Sequence, residues 1–544
     1  LSTAIAGLGM TELGKVYGRS PRRLAADAVR LAAADAGLPL ADLDGLLVSH
    51  GLGGSPGIEL ADALGLRNLR LLSTVNSFGA TAGAMIAHAA MSIMSGAATT
   101  VACVFADAPL KPKQSSGAAY HRDAPEWYGF SGMTAALGLR SVNAHYALAA
   151  QRHMARYGTT SEQLGAIAVS TREWATRNPL AQMREPITLD DHQASRWVAE
   201  PLHLLDCCLV SNGAIAVIVT GSDRARSLAK PPVHLWGWGQ GHPGHRKERD
   251  SEFGLTTGAL TSGPTAMKMA GITPDDVTVA ELYDCYTYTV LVSLEDYGFC
   301  EKGEGGAFAA SGALGPGGSL PTNTGGGQLS SYYMWGMTPL SEAIIQARGE
   351  GGDRQVDAND VILVSGNGGI LDHHSTLILS PHEKSAPVAP AGRPALRASG
   401  AREAAPAPAS VPSGPVEIGR LKRDGRTDPF FDGTADDRLV IKRCESCETW
   451  FAPDATGCTH CGAATLAWAD ASGEGTLVTW TVTHGRPSAD GTAPPPAYLA
   501  LVELAEGPWL HGRLSGVSVL REGLPLRATY VHPEDGEAYV LWTE

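Results

Sequence analysis

Two groupings of reactive side chains stand out in the 544-residue chain. The stretch ELYDCYTYTV at residues 281–290 places Tyr283, Tyr286 and Tyr288 close together, although aromatic residues make up only 6% of the chain. A second stretch, QLSSYYMWGM, adds Tyr332 and Tyr333. A phenol both donates and accepts a hydrogen bond, so two phenols facing one cleft can serve as proton donor and acceptor. Packed into a core, the same rings are apolar filler. Residue type alone leaves both readings open. The other grouping is RCESCETWFAPDATGCTHCG, with Cys444 and Cys447 in one C-x-x-C pair and Cys458 and Cys461 in the next. Each turn points two thiolates into one tetrahedron, and two such turns about ten residues apart close a four-thiolate site. The spacing fits structural zinc. A rubredoxin-type iron is the alternative, and a redox dithiol would need a single pair at a helix start. With all four positions filled by protein, the metal holds structure rather than performing catalysis. His460 is expected beside the site, facing solvent.

The elements that must position these groups divide the chain. Residues 1–380 read as an α/β layered fold, in which short β-branched runs alternate with Ala-rich helices. GLLVSHG, TTVACVFAD, AIAVIVTG and DVILVSGNGG predict buried strands. PRRLAADAVRLAAADAGL predicts an amphipathic helix opened by Ser20 as N-cap and Pro21 at the first helical position. GATAGAMIAHAAMSIMSG, rich in small residues, predicts a helix packed between sheets. Residues 381–414 are dominated by Ala, Pro, Ser and Gly and predict a linker that tethers two folded parts loosely. Residues 415–467 hold the cysteine pairs. Residues 468–544 read as short alternating strands of a small antiparallel barrel.

Composition narrows the function classes. Hydrophobic residues at 44% suffice for globular packing, and the length implies about two to four compact units. A net charge of -14, from 42 Lys and Arg against 56 Asp and Glu, argues against a nucleic-acid partner. No run of about 18 or more apolar residues occurs, and the first residues lack a signal-type pattern, so a cytoplasmic protein with no membrane span is expected. The remaining cysteines show no disulfide-framework spacing.

The ribbon followed by GEGTLVTWTVTH and AYLALVELAEG resembles the DUF35 family, an OB-fold with a rubredoxin-like zinc ribbon that accompanies thiolase-like enzymes acting on acyl-CoA. Residues 1–380 in turn resemble the thiolase fold of the sterol-carrier-protein-thiolase or lipid-transfer subfamily. The segments that carry this are AIAGLGMTELGK, VNSFGATAG, RHMARYGTTSEQLGAIAV, PLHLLDCCLVSNGAIAVIV, ELYDCYTYTV, NTGGGQLSSYYMWGM and VSGNGGI, in family order. The expected fold is therefore a thiolase-like layered α/β domain of two similar halves, residues 1–225 and 226–380, followed by a small β domain.

That resemblance also marks what is missing. Gly79 stands where thiolases carry their nucleophilic cysteine, and Ser77 is a poor substitute two residues away. SYYMWGM replaces the G-H-P histidine motif, and Ser365 replaces the late cysteine. Where relatives read H-D-C-F this chain reads Tyr283-Asp284-Cys285-Tyr286. The pattern resembles the steroid side-chain aldolases of the lipid-transfer-protein type. It implies retro-aldol cleavage of a β-hydroxyacyl-CoA into a short acyl-CoA and a ketone or aldehyde. Tyr283 and Tyr333 are then the catalytic pair, with base and acid unassigned, and Tyr333 is preferred to Tyr332 by the Q-L-S-x-x-Y spacing of the relatives. Backbone amides at Gly79, Gly368 and Gly369 are the candidates for holding the thioester oxygen. Glycine at position 79 is expected to clear room for a bulky acyl group. Coenzyme A enters as part of the substrate, zinc as a structural ion. A homodimer through the thiolase domain and an upstream hydratase are the implied partners. The rivals are a thiolase-type acyltransferase or condensing enzyme and a non-catalytic acyl-CoA or lipid-binding protein.

Other residues carry weaker expectations. Trp127, Tyr128 and Phe130 fall in an irregular insertion and are expected to line an acyl pocket. Tyr286 and Tyr288 are expected to pack, Asp206 to brace a turn, and Cys207 and Cys208 to be small core residues. GHP at residues 241–243 lies too early to be the thiolase motif, while the basic residues Arg246, Lys247 and Arg249 after it could meet coenzyme A phosphates. His373 and His374 are expected as solvated strand residues, and GLGGSPG as a turn.

Overall fold

The computed structural model describes residues 2–120, 124, 126–384, 410–413, 416, 418–484 and 494–544. Of the expected linker, residues 385–409 and 414 lie outside the described residues. Among the described residues no helix is long and apolar enough to cross a membrane.

Nine strands form the central sheet: β1 (Thr3–Met10), β2 (Gly45–His50), β3 (Leu71–Thr74), β4 (Thr100–Asp107), β5 (Gly213–Gly221), β6 (Val233–Gly241), β7 (Val279–Glu281), β8 (Ile362–Gly368) and β9 (His373–Ser380). Their spatial order is β7-β8-β9-β6-β1-β5-β4-β2-β3. The runs read as buried strands from their β-branched composition are β2, β4, β5 and β8, and all are covered on both faces. The two halves meet where β1 pairs antiparallel with β6, Thr3 opposite Leu235 and Ile5 opposite Val233. In hydrogen-bonding terms there is thus one sheet rather than two. The Ala-rich helix Thr81–Met94 lies against strands of both halves, and it is buried apart from the half-buried His88 and the exposed Met91 and Met94.

The helix Pro21–Ala36 starts as its sequence dictates. The Ser20 side chain accepts from the Arg23 amide at 3.3 Å, Pro21 occupies the first turn, and Gly37 closes the end at φ 70°.

In the C-terminal part, Leu439–Cys444 pairs with Trp450–Phe451 and Leu466–Ala471 to make the ribbon. Five antiparallel strands follow in the order Trp509–Arg513, Ala497–Leu504, Glu474–Thr483, Pro525–Val531 and Tyr539–Thr543. A bridge from Leu514 to Trp542 brings the two ends of this order together as a barrel requires.

The loose tethering expected from the linker is not what the described residues show. The strand Glu126–Tyr128 pairs in parallel with Arg420–Lys422, and Ala199 bridges to Thr483. A shared apolar core unites Phe130, Met133 and Leu137 with Phe430, Phe431, Leu514 and Trp542. Burial of that apolar surface, not the connecting segment, fixes the C-terminal part on the large domain.

Candidate active site

Tyr283 follows the short strand β7, in a loop that ends at the helix Thr287–Asp296. The Leu282 amide donates to Asn323 Oδ1 at 2.7 Å, and the Thr289 hydroxyl donates to the Tyr283 carbonyl at 2.9 Å. Tyr333 follows a wide turn over Gly327–Ser331. Its amide donates to Ser211 Oγ at 3.0 Å. One side chain staples the two loops together: the buried Asp284 carboxylate accepts from the amides of Gln328 at 2.8 Å and Leu329 at 3.3 Å. Burial pushes the Asp284 carboxyl up to about 7, against the opposing pull of those amides.

The consequence is a phenol pair. The hydroxyl oxygens of Tyr283 and Tyr333 are 3.2 Å apart. Tyr283 is 3% exposed and Tyr333 partly buried. Burial raises the Tyr283 phenol well above its ordinary range, and the hydrogen bond with Tyr333 lowers it in part. The protonated form of Tyr283 is therefore strongly favoured. Cys285, Cys208 and Tyr146 border the same space, with the Cys208 amide donating to the Cys285 carbonyl at 3.0 Å. Burial raises the Cys285 thiol to about 12, so it is no thiolate nucleophile near neutrality.

Gly79 is tied to this geometry by contact. A β-carbon there would fall 2.3 Å from Tyr283 Cζ and 2.0 Å from the Asn367 carbonyl oxygen. The room expected for a bulky acyl group is thus occupied by the phenol ring itself, because Tyr283 packs against the bare main chain. At Gly368 a β-carbon would fall 2.4 Å from Phe78 Cβ and 2.8 Å from the Gly79 nitrogen. Gly369, at φ 63°, follows directly and faces the His373 ring. Gly79 and Gly368 are therefore packed together beside the Tyr283 ring, whereas the neighbours of Gly369 are the His373 ring atoms.

The other phenols are anchored elsewhere. Tyr286 donates to Asn143 Oδ1 at 2.5 Å and packs on Tyr146 with ring centroids 4.5 Å apart. Tyr288 donates to the Gly254 carbonyl, and the buried Tyr332 hydroxyl meets Ser341 Oγ at 3.0 Å. Asp206 braces a turn: it accepts from the His203 amide at 2.7 Å, His192 Nε2 at 2.9 Å and the Thr287 hydroxyl at 2.6 Å.

Several sequence expectations are corrected. His374 is buried, not solvated, because β9 is interior to the sheet; its Nε2 lies 2.9 Å from the Tyr297 hydroxyl and 3.2 Å from Ser365 Oγ. His373 is partly buried, stacks on Phe78 at 5.9 Å and lies 3.0 Å from His242 between Nδ1 atoms. Trp127, Tyr128 and Phe130 are not brought to the phenol pair. Trp127 and Phe130 pack in the core shared with the C-terminal part, Phe130 edge-on to Phe430 at 5.1 Å, while Tyr128 is exposed and donates to Glu126. The apolar surface of Trp127 and Phe130 is consumed by domain docking.

Sequence reasoning passed over Asn367 and Tyr146. Asn367 is fully buried on β8, and both polar atoms of its side chain lack a hydrogen-bond partner among the described residues. Its only signal was its place between the glycines of VSGNGGI. Tyr146 had none, since it falls in an ordinary helical pattern.

The four cysteines of the ribbon bring their sulfurs within 4.8 Å of one another. Cys444 to Cys461 is 3.7 Å, and Cys458 lies 3.5 Å from both Cys447 and Cys461. A tetrahedral ion with metal–sulfur bonds of about 2.3 Å needs sulfur–sulfur edges of about 3.8 Å, so the set fits zinc. The Cys461 amide also points at Cys458 Sγ from 3.3 Å, as a thiolate requires. His460 is exposed.

Comparison with known proteins agrees with this layout. Residues 239–381 match the family described as thiolase C-terminal domain-like. Residues 431–467 match the ChsH2 rubredoxin-like zinc ribbon domain, and residues 468–531 the ChsH2 C-terminal OB-fold domain. A steroid side-chain-cleaving aldolase from Thermomonospora curvata is 39% identical over 380 residues, covering 68% of this chain and 95% of that protein. A 17-hydroxy-3-oxo-4-pregnene-20-carboxyl-CoA lyase from Mycobacterium tuberculosis is 38% identical over 383 residues, covering 67% and 96%. Among solved structures, a chain described as an Ltp2-ChsH2(DUF35) aldolase superposes with a TM-score of 0.63 at 37% identity, covering 70% of this chain and 97% of its own.

Proposed function

Since the chain belongs to the family of thiolase-fold, side-chain-cleaving aldolases, and is thereby a carbon–carbon lyase acting on acyl-CoA, we propose that its retro-aldol step is carried by Tyr283 and Tyr333. The observation behind this is the hydrogen bond between the two phenols, 3.2 Å long, with the Tyr283 ring seated where a thiolase-type side chain at position 79 would begin.

Retro-aldol cleavage takes a proton from the β-hydroxyl, breaks the bond between the α- and β-carbons, and returns a proton to the α-carbon of the thioester enolate. A carbonyl compound and a shortened acyl-CoA leave. No net proton is gained or lost, and no covalent nucleophile is needed. Because burial disfavours a Tyr283 phenolate, the pair is best suited to a relay. One phenol oxygen accepts the hydroxyl proton while its own proton passes to the partner, which supplies the α-carbon. The more accessible Tyr333 then faces the hydroxyl, and Tyr283 is the acid. Main-chain amides at Gly79, Gly368 and Gly369 are suited to hold the enolate oxygen. The bulky acyl group is taken to be steroidal, as the names of two relatives suggest. Zinc at Cys444, Cys447, Cys458 and Cys461 would be structural.

A homodimer through the large domain has support in the edge strand β3 and in the exposed Leu72, Phe78, Met91 and Met94. A hydratase that adds water across an α,β-unsaturated acyl-CoA would supply the substrate.

The test is turnover of 17-hydroxy-3-oxo-4-pregnene-20-carboxyl-CoA, whose hydroxyl is β to the thioester, with propionyl-CoA and the steroid ketone as products. Tyr283→Phe and Tyr333→Phe should each lower kcat by about 10²–10⁴-fold with little change in substrate affinity. Undiminished turnover in both variants would remove the pair from the mechanism. Binding without turnover would favour a carrier, and acyl transfer to thiols a transferase.

A further inference from the structure

The loops that carry Tyr283 and Tyr333 are laced together by a second carboxyl besides Asp284. Glu281 ends β7, two residues before Tyr283, and its Oε1 accepts from the Thr324 amide at 3.1 Å and the Thr324 hydroxyl at 2.7 Å. The Leu282 amide reaches Asn323 Oδ1 at 2.7 Å, so residues 323 and 324, at the head of the segment leading to Tyr333, are both tied to the Tyr283 loop. Between the two segments lies an interior cavity with about 10 Å³ of room for the centre of a water molecule. Its lining residues are all buried, among them Glu281, Asp284, Asn323, Tyr332 and Glu342. A space of that size suits one water.

The lining specifies what the cavity takes. Asn323 is 1% exposed, and because its Oδ1 accepts from the Leu282 amide, the orientation of its side-chain amide is fixed. Its Nδ2 has no hydrogen-bond partner among the described residues, although Asn323 stands near enough to Asp284 to favour the ionised carboxyl there. The Thr324 hydroxyl lies 2.7 Å from Glu281 Oε1 and 3.2 Å from Glu342 Oε1, yet it carries a single hydrogen. It cannot donate to both, so one of the two carboxyls brings its own proton. Glu342, on the helix Met337–Ala347, is matched by the Arg354 guanidinium, with Nε at 2.9 Å and Nη2 at 3.2 Å; the neutral acid is therefore Glu281. Burial, and after it the Glu342 and Asp284 charges, raise the Glu281 carboxyl well above its ordinary range, and burial raises the neighbouring Tyr332 phenol too. An inward-pointing N–H repels a cation, whereas a water accepts from it and donates to carboxyl oxygens.

We propose that Glu281 is a positioning residue for the phenol pair, acting as a neutral acid through one ordered water that joins Asn323 Nδ2 to the Glu281 and Asp284 carboxyls. Ionising Glu281 beside Glu342 and Asp284 would set like charges against one another where the two loops are laced, and shift the phenols they carry. The proposal rests on Tyr283 and Tyr333 being the reacting pair.

Three variants of the full chain test it. Glu281→Gln keeps the shape of the neutral acid and should hold kcat within about threefold of wild type near pH 7, whereas Glu281→Ala should lower kcat about 10²-fold with KM little changed. Asn323→Asp keeps the acceptor for the Leu282 amide but puts a further acid where the donor was, so its loss of kcat should deepen as pH rises. Infrared difference spectra read the proton without turnover: the carbonyl stretch of a protonated carboxyl should appear in wild type and vanish in Glu281→Gln. A loss in Glu281→Gln as large as in Glu281→Ala, wild-type kcat in Glu281→Ala, or no such band overturns the proposal. So does an Asn323→Asp loss that stays flat or shrinks with rising pH, the mark of a cation in the cavity. Should Glu281→Ala fail to fold, the other two variants decide. If Tyr283→Phe and Tyr333→Phe leave turnover undiminished, the reading of the pair fails, and the infrared band still decides whether Glu281 holds its proton.

Discussion

The thiolate knuckle and the phenol pair differ in how much of the chain is needed to build them. The knuckle draws its four sulfurs from one short stretch, Cys444 to Cys461, on a single small ribbon. The phenol pair draws on separate segments around Gly79, Tyr283, Tyr333 and Asn367, each held by its own hydrogen bonds and pressed together by a common core. A site made from one segment needs only local turns and an ion. A site made from several depends on every packed layer between them, and small displacements are felt in the chemistry.

That contrast can be attacked in order of expected effect. Removing zinc by chelation, or Cys458→Ser, should withdraw on the order of 10 kcal/mol from the ribbon. Metal analysis should show zinc lost, and circular dichroism should show the large sheet retained; a full zinc complement in the variant would break the four-thiolate reading. Next comes Phe130→Ala, which empties a buried ring site and should cost about 3–5 kcal/mol in domain docking, read from the melting curve. Selectivity between short and bulky acyl groups should not move. A shift would return Phe130 to the substrate pocket. Gly79→Ala should lower kcat about 10²-fold, or about 2.7 kcal/mol, by pushing the Tyr283 ring off its partner, with zinc content unchanged. Wild-type kcat in that variant would show the pair tolerates displacement.

Taken per pH unit, the smallest effect concerns pH. The Asp284 carboxyl is held near 7 in the folded chain against 3.8 for the free group, so the folded state keeps a proton that the unfolded state releases. The stability this supplies is complete below about pH 4 and is lost as pH rises through about 7, at no more than about 1.4 kcal/mol per pH unit. Asp284→Asn should flatten denaturant midpoints across that window. An identical slope in wild type and variant would mean the carboxylate is ionised throughout.

The same contrast explains what could be read from sequence. Four cysteines at C-x-x-C spacing declare a tetrahedron because the geometry lies within the turn itself. Strands β2, β4, β5 and β8 were legible for a similar reason, as two-sided burial leaves a continuous apolar run. The pairing of Tyr283 with Tyr333 was reachable only through resemblance, since nothing in either segment specifies the other. Asp284 stood in plain view but its stapling of the turn at Gln328 and Leu329 uses backbone amides, which leave no trace in side-chain identity. Trp127 and Phe130 were misplaced because an apolar ring reads alike whether it meets a ligand or a neighbouring domain.

Two of the backbone contacts across the domains, Glu126–Tyr128 with Arg420–Lys422 and Ala199 with Thr483, carry a last consequence. Edge pairing of this kind would also serve two separate chains, but then occupancy would follow protein concentration. Covalent connection makes the docking intramolecular, with an effective concentration that reaches the millimolar range for short flexible connections. An interface of only micromolar intrinsic strength would then be almost always closed, and dilution would not open it.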